Sequence, residues 1–285
     1  MKLAARWNIV PGVTLDDKLG FLEAAGYEYI DLNGSALEVS LDQLLRVFAG
    51  RSVRVGTLDL LHSVLNTDEE AMRRRMERNH ELLDFAKALG AFGALVHPIF
   101  VPPPAEELAG YLGLTPAGTP GNSYKGMPAE VASVEEQTDR LIPELKELAT
   151  HAEGIGAILL VEPLNRYETY YFNRLEQAVE VCRAVASPAV TVLPDFFHMV
   201  IEESDISASI KAAAGHIGYV HISENYRGEP GQGNFDFRCA FGALKAVGYD
   251  GRLGIACEPI GDPGEALRET AANVRNLWAE AQPAL

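Results

Sequence analysis

The 285-residue chain is 47% hydrophobic and 22% charged, ordinary for a soluble globular protein, and its length allows one large barrel or two smaller domains. Its 24 basic and 40 acidic residues give a net charge of −16, which opposes non-specific attachment to the phosphates of nucleic acid. No membrane span is expected, because no run reaches the roughly 18 apolar residues that one needs. The start of the sequence shows no apolar stretch of signal-peptide length, and Cys182, Cys239 and Cys257 lack CxxC spacing, so reduced thiols in a cytoplasmic protein are expected.

Short β-rich runs alternate with amphipathic segments along the whole chain. Strands are expected at 3–9, 27–32, 53–58, 93–97, 157–162, 190–195, 218–221 and 252–258. Strands that alternate with helices pair in parallel, so the eight define a single (β/α)₈ TIM barrel over 1–285. Helix starts follow from capping boxes: Ser40 with Gln43, Thr67 with Glu70 and Ser133 with Glu136. Helix stops are expected at Gly26, Gly90 and Gly248. Leu141, Leu145 and Leu148 have helical spacing, and Pro143 among them predicts a kink or a late first turn. Residues 99–132, rich in Pro and Gly, exceed the roughly 2–6 residues of an ordinary βα loop. Following strand 4, this insertion is expected at the barrel mouth as a lid or specificity loop.

The chemistry concentrates at the ends of strands 5 to 8. Glu162, Asp195, His221 and Glu258 each end a strand-like run, separated by 33, 26 and 37 residues. One strand–helix unit of a barrel of about 250 residues takes roughly 30. Parallel strands bring all four side chains to one mouth. Three carboxylates and one imidazole suit one hard or borderline divalent cation, Mn²⁺ first, with Mg²⁺ or Co²⁺ as alternatives; a closed structural zinc site would favour thiolates. His62 and His97 follow strands 3 and 4, and His198 lies three residues after Asp195; each is placed to reach the same mouth. The Gly228–Gly233 stretch offers backbone N–H groups to an anion, but it lacks a P-loop ending and reads first as a tight, closely packed loop.

The run from Val161 to Thr169, with Asp195-Phe196-Phe197-His198-Met199 and His221-Ile222-Ser223-Glu224-Asn225-Tyr226-Arg227-Gly228, resembles the xylose-isomerase-like sugar isomerase and epimerase superfamily. Within it the closest likeness is to the ketose 3-epimerase branch, the D-tagatose 3-epimerase type. The resemblance implies that Glu162, Asp195, His221 and Glu258 bind the metal, and that Glu162 and Glu258 are also the acid–base pair. It implies that Glu168, His198 and Arg227 hold substrate oxygens, with His62 and His97 as further substrate contacts. It also implies a sugar substrate and a homodimer or homotetramer. Pro194 and Phe196 depart from the pattern, next to the metal Asp, and are expected to reshape the pocket.

Inverting a ketose at C3 requires loss of a proton beside a carbonyl. A cation stabilises the enediolate, one carboxylate removes the proton, and the other returns one on the opposite face. The same groups would serve hydroxypyruvate isomerase or another aldose–ketose isomerase, the second choice, or a keto-inositol or dehydroshikimate-type dehydratase, the third. A non-catalytic sugar-binding protein would have lost a ligand or a base, and none is missing. A repair endonuclease of the same superfamily would need an Asp-x-His pair after strand 7, which residues 227–238 lack.

Overall fold

The computed structural model describes residues 1–34, 39–61, 69–97, 134–169 and 172–283. Eight strands lie within them: β1 (Lys2–Arg6), β2 (Tyr29–Asn33), β3 (Arg54–Asp59), β4 (Gly93–Val96), β5 (Leu159–Val161), β6 (Val190–Val192), β7 (Val220–Ile222) and β8 (Arg252–Ile255). All pair in parallel, in the order β6-β5-β4-β3-β2-β1-β8-β7. The two ends of that sheet meet through isolated parallel bridges, Val192 with Ile217 and Asp195 with His221. Gly218 N donates to Val192 O and His221 N donates to Pro194 O, both at 3.0 Å. The eight-stranded TIM barrel predicted from the alternation is the fold; β1, β4, β5, β6 and β8 end one to three residues before the expected runs do, and β2, β3 and β7 end one residue after them.

Nine helices lie among the described residues: α1 (Leu15–Ala25), α2 (Leu41–Phe48), α3 (Glu69–Ala88), α4 (Val134–Ile155), α5 (Leu175–Val185), α6 (Phe196–Glu202), α7 (Ile206–Ala212), α8 (Phe237–Ala246) and α9 (Pro263–Glu280). The Ser40–Gln43 box caps α2, and a second box, Thr14 with Asp17, caps α1. Asp17 replaces the usual Glu or Gln at the third position, which is why the spacing rule passes over it. Gly26, Gly90 and Gly248 all take positive φ just past a helix, as expected. Pro143 does not mark a late first turn: α4 runs from Val134 to Ile155, with the proline inside it. Buried Leu141, Leu145 and Leu148 hold that helix against the barrel, and packing of an apolar face outweighs a lost backbone bond. Thr67, Ser133, His62 and the 99–132 insertion lie outside the described residues.

Strand parity decides what faces the barrel axis, because successive side chains point to opposite sides. Leu3, Ala5, Ile30, Leu32, Val55, Ala94, Val96, Leu159, Val161, Val190, Val192, Val220, Ile222, Leu253 and Ile255 belong to the large core beneath the helices. The opposite parity fills the barrel. Ala4, Leu95, Leu160, Leu193 and Tyr219 form an apolar layer inside it. Two residues further along the same strands stand Arg6, His97, Glu162, Asp195 and His221. An apolar plug thus carries a polar layer at the C-terminal mouth, where barrel enzymes keep their sites.

Candidate metal and acid–base centre

The polar layer opens into a cavity of about 290 Å³ lined by Arg6, Asn8, Ile9, His97, Glu162, Leu164, Glu168, His198, His221, Arg227, Ala256, Cys257 and Glu258. Glu162 sits just past β5, 2% exposed. Its carboxylate is clasped between two imidazoles: His97 Nε2 lies 2.6 Å from Oε2, and His221 Nδ1 lies 3.2 Å from Oε1. Burial alone would raise the Glu162 pKa, but His221 and His97 outweigh it and hold the group well below the usual carboxylate range. The reverse holds at His221, where burial pushes down while Glu162 and Asp31 lift the imidazole to about 9.

Asp195 is fully buried and has two tasks. Oδ1 accepts from Phe197 N at 2.9 Å and so caps α6. Oδ2 accepts from Arg227 at 2.6 Å. The Arg227 guanidinium also lies over the Phe197 ring, 4.6 Å from its centroid. Arg227 takes φ 67, in the left-handed region that costs a non-glycine residue roughly 1–2 kcal/mol. Its carbonyl accepts from Glu258 N at 2.6 Å, joining the loops after β7 and β8.

His198, on the first turn of α6, is oriented by Asn165. Both the Asn165 backbone N–H, at 3.2 Å, and its side-chain amide, at 2.8 Å, meet His198 Nδ1. A backbone N–H can only donate, so Nδ1 accepts and the ring proton sits on Nε2. Burial pushes the His198 pKa down despite nearby Asp195, keeping the ring neutral. The Asn165 amide also donates to Glu168 Oε1 at 3.0 Å, which ties Glu168 to the same cluster.

Glu162, Asp195 and His198 offer ligand atoms that all lie within 4.8 Å of one another. His198 fits the cation less well than His221, because its Nε2 carries the proton. His221 presents Nδ1 to Glu162 and is linked to Asp195 through the bridge that closes the barrel. Two buried carboxylates and an imidazole are a donor set that fits a divalent cation. Glu258 stands apart from them: it lines the cavity but is exposed.

Sequence reasoning missed Arg6 and Asp59, which pair through both guanidinium nitrogens at 3.0 and 2.6 Å at the ends of β1 and β3. The strand-end rule that singles out Glu162 also points to them. Asn165 carried no such signal. Phe196, expected to reshape the pocket, instead packs with Phe235, Phe237 and Phe241 at centroid distances of 5.1, 6.1 and 6.0 Å. The Gly228–Gly233 loop is closely packed around a carboxylate of its own: buried Glu224 accepts from Gly231 N at 2.9 Å and Phe235 N at 3.2 Å.

Taken together, an eight-stranded parallel barrel with a cation-ready carboxylate layer and a second carboxylate at its rim is equipped for proton transfer on a small polar molecule. The profile of the xylose isomerase-like TIM barrel family matches residues 19–277, and the chain belongs to that family. Its homologues include L-ribulose, D-psicose and ketose 3-epimerases. The L-ribulose 3-epimerase of Methylomonas sp. is 30% identical over 260 residues, 89% of this chain and 82% of the relative. The L-ribulose 3-epimerase of Mesorhizobium japonicum is 38% identical over 149 residues, 52% of this chain and 50% of the relative, so that match spans half of its length. The apo structure of 3-keto-D-glucoside 4-epimerase from E. coli superposes with a TM-score of 0.80 at 22% identity, covering 97% of this chain and 99% of that one. No helix among the described residues is long and apolar enough to cross a membrane.

Proposed function

We propose that this protein is a metal-dependent ketose 3-epimerase, with Glu162 and Glu258 as its acid–base pair. The observation that carries this is the pairing of one buried and one exposed carboxylate on a single small cavity, beside a donor set fit for a cation. A cavity near 290 Å³ is at the low end for small-molecule sites, a size for a monosaccharide. The epimerase relatives support the same assignment.

Glu162, Asp195 and His221 would hold the ion, joined by Glu258 from the exposed rim of the cavity, with Mn²⁺ as the expected metal and Mg²⁺ or Co²⁺ as alternatives. Bound there, the cation supplies Lewis-acid stabilisation of the negative charge that develops on the substrate oxygens. Glu162, at the floor of the cavity beside His97, takes a proton from the carbon next to the carbonyl. Glu258 returns a proton to that carbon from the other side, and its exposure lets it reload from water. His198 donates its Nε2–H to a substrate oxygen, Arg227 offers a charged donor, and Glu168 accepts from a hydroxyl. His97 joins the substrate wall through Glu162. Free thiols, two of them buried, suit a reducing compartment such as the cytosol.

The test is solvent exchange followed by NMR. Protein stripped of metal is incubated in D₂O, with and without Mn²⁺, with fructose, tagatose, psicose, ribulose, xylulose or hydroxypyruvate. Metal-dependent deuterium at C3 together with the C3 epimer is expected. Label at C1 with an aldose or tartronate semialdehyde product would instead identify an aldose–ketose isomerase.

A further inference from the structure

Asp31 is a carboxylate that the reaction above does not use. It points into the barrel from β2 and is 0% exposed. A charge buried this way needs a partner for each oxygen. Oδ1 accepts from Thr57 N at 2.9 Å and from the Tyr219 hydroxyl at 3.0 Å. Oδ2 lies 3.2 Å from the same hydroxyl, which has a single proton to give. Oδ2 lies 3.7 Å from His221 Nε2, longer than a hydrogen bond. His221 Nε2 is buried and has no hydrogen-bond partner. Two glycines keep the approach open. A Cβ at Gly56 would stand 2.3 Å from Asp31 Oδ1; at Gly254 it would stand 2.5 Å from Oδ2 and 2.9 Å from His221 Cδ2.

We propose that Asp31 is a positioning residue for the metal centre: it accepts a hydrogen bond from His221 Nε2–H, fixes the ring, and leaves Nδ1 as the nitrogen that faces the cation. The proposal rests on the cation site assigned above. Nδ1 is already the nitrogen turned toward Glu162, at 3.2 Å. A carboxylate behind a ligating imidazole sets its tautomer and raises its basicity, and losing it typically lowers metal affinity about 10–100-fold.

Two measurements on the full chain test this. Long-range ¹H–¹⁵N spectra of the Zn²⁺-loaded wild type should show the His221 proton on Nε2 and the metal on Nδ1. The opposite assignment overturns the role of Asp31 and leaves the cation site standing. A His221 signal that Zn²⁺ does not move overturns both. The second measurement uses D31N. Its side-chain oxygen stays on Thr57 N–H, so its NH₂ faces Nε2 and drives the ring proton to Nδ1. Zn²⁺ affinity, read by chelator competition, should fall about 10–100-fold, with the wild-type circular dichroism retained in EDTA. Unchanged affinity in a folded D31N overturns the proposal. Should D31N not fold, the wild-type spectra alone decide between the two tautomers and so for or against the role of Asp31.

Discussion

Replacing Arg227 tests how the site balances its charge without a cation. Arg227 donates to fully buried Asp195 at 2.6 Å, and its own side chain is 25% exposed. Removing one partner of a buried pair costs about 3–5 kcal/mol, because the other charge is left uncompensated. Partial exposure places R227A near the lower end, about 3 kcal/mol. At roughly 2–4 °C per kcal/mol for chains of 150–250 residues, the melting temperature in EDTA should fall by about 6–12 °C, toward the smaller value for a longer chain. R227G should recover about 1 kcal/mol of that, because glycine removes the penalty of φ 67 while losing the same side chain. Saturating Mn²⁺ should narrow the gap between wild type and R227A, since a cation on Asp195 replaces the missing guanidinium. Metal content should hold while kcat/KM falls, as the substrate donor is lost. The assay is calorimetry in EDTA and in Mn²⁺, with steady-state kinetics alongside. An R227A melting temperature within about 2 °C of wild type in EDTA, with the same metal increment, would refute Arg227 as the counter-charge of Asp195.

E162Q and E258Q should each lower turnover by about 10²–10⁴-fold, the usual contribution of a positioned acid or base, with far-ultraviolet circular dichroism unchanged. Near-wild-type turnover in either variant would remove the two-carboxylate mechanism. E162Q should also lose melting temperature, because His97 and His221 lose their shared carboxylate, whereas exposed Glu258 can be changed without that loss. Hydrogen exchange at the amides of Gly218 and His221, which bond across the β6–β7 junction, should slow when Mn²⁺ is added. Equal exchange with and without metal would show that no cation bridges that junction.

Much of the site is legible because strand parity and strand ends are sequence properties. Glu162, Asp195 and His221 all lie on the inward parity just past or within an apolar strand, so the alternation that buries Val161, Val192 and Val220 outside the barrel also aims these three side chains inward. Arg6 and Asp59 obey the same rule but lie far from the motif run, where carboxylates and imidazoles draw the eye. Asp31 is harder to see. Its residue type reads as a loop or surface group, and only the register shift between β2 and β3 beside Ile30 and Leu32, with Gly56 and Gly254 nearby, makes room for it. Asn165 is invisible for another reason: its role depends on a loop geometry that brings its amide to His198, which no spacing encodes. Phe196 misleads because adjacency in sequence to Asp195 is not adjacency in space once a helix starts there. The chain turns at Asp195, and the next residue points into the aromatic cluster with Phe235, Phe237 and Phe241.

The departure at Pro194 acquires its meaning from the barrel closure. β6 and β7 are three residues each, and they meet only through two isolated bridges where the other neighbours share ladders. Proline has no N–H, so it cannot donate to a ladder; here its carbonyl accepts from His221 N and its own donor is simply absent. The β6 ladder ends at Val192, before Pro194, and Asp195, still extended, caps α6 with one oxygen and presents the other to Arg227. His221 stands on the facing strand, in register with Asp195. The thinnest seam of the barrel therefore carries one proposed ligand on each side. A cation held there would draw on backbone that is already positioned by strand closure on one side and helix capping on the other. Shortening the β6–β7 ladder is thus consistent with both demands: enough freedom for the two side chains to converge, and a cation to restore the cross-link that the missing hydrogen bonds would have supplied.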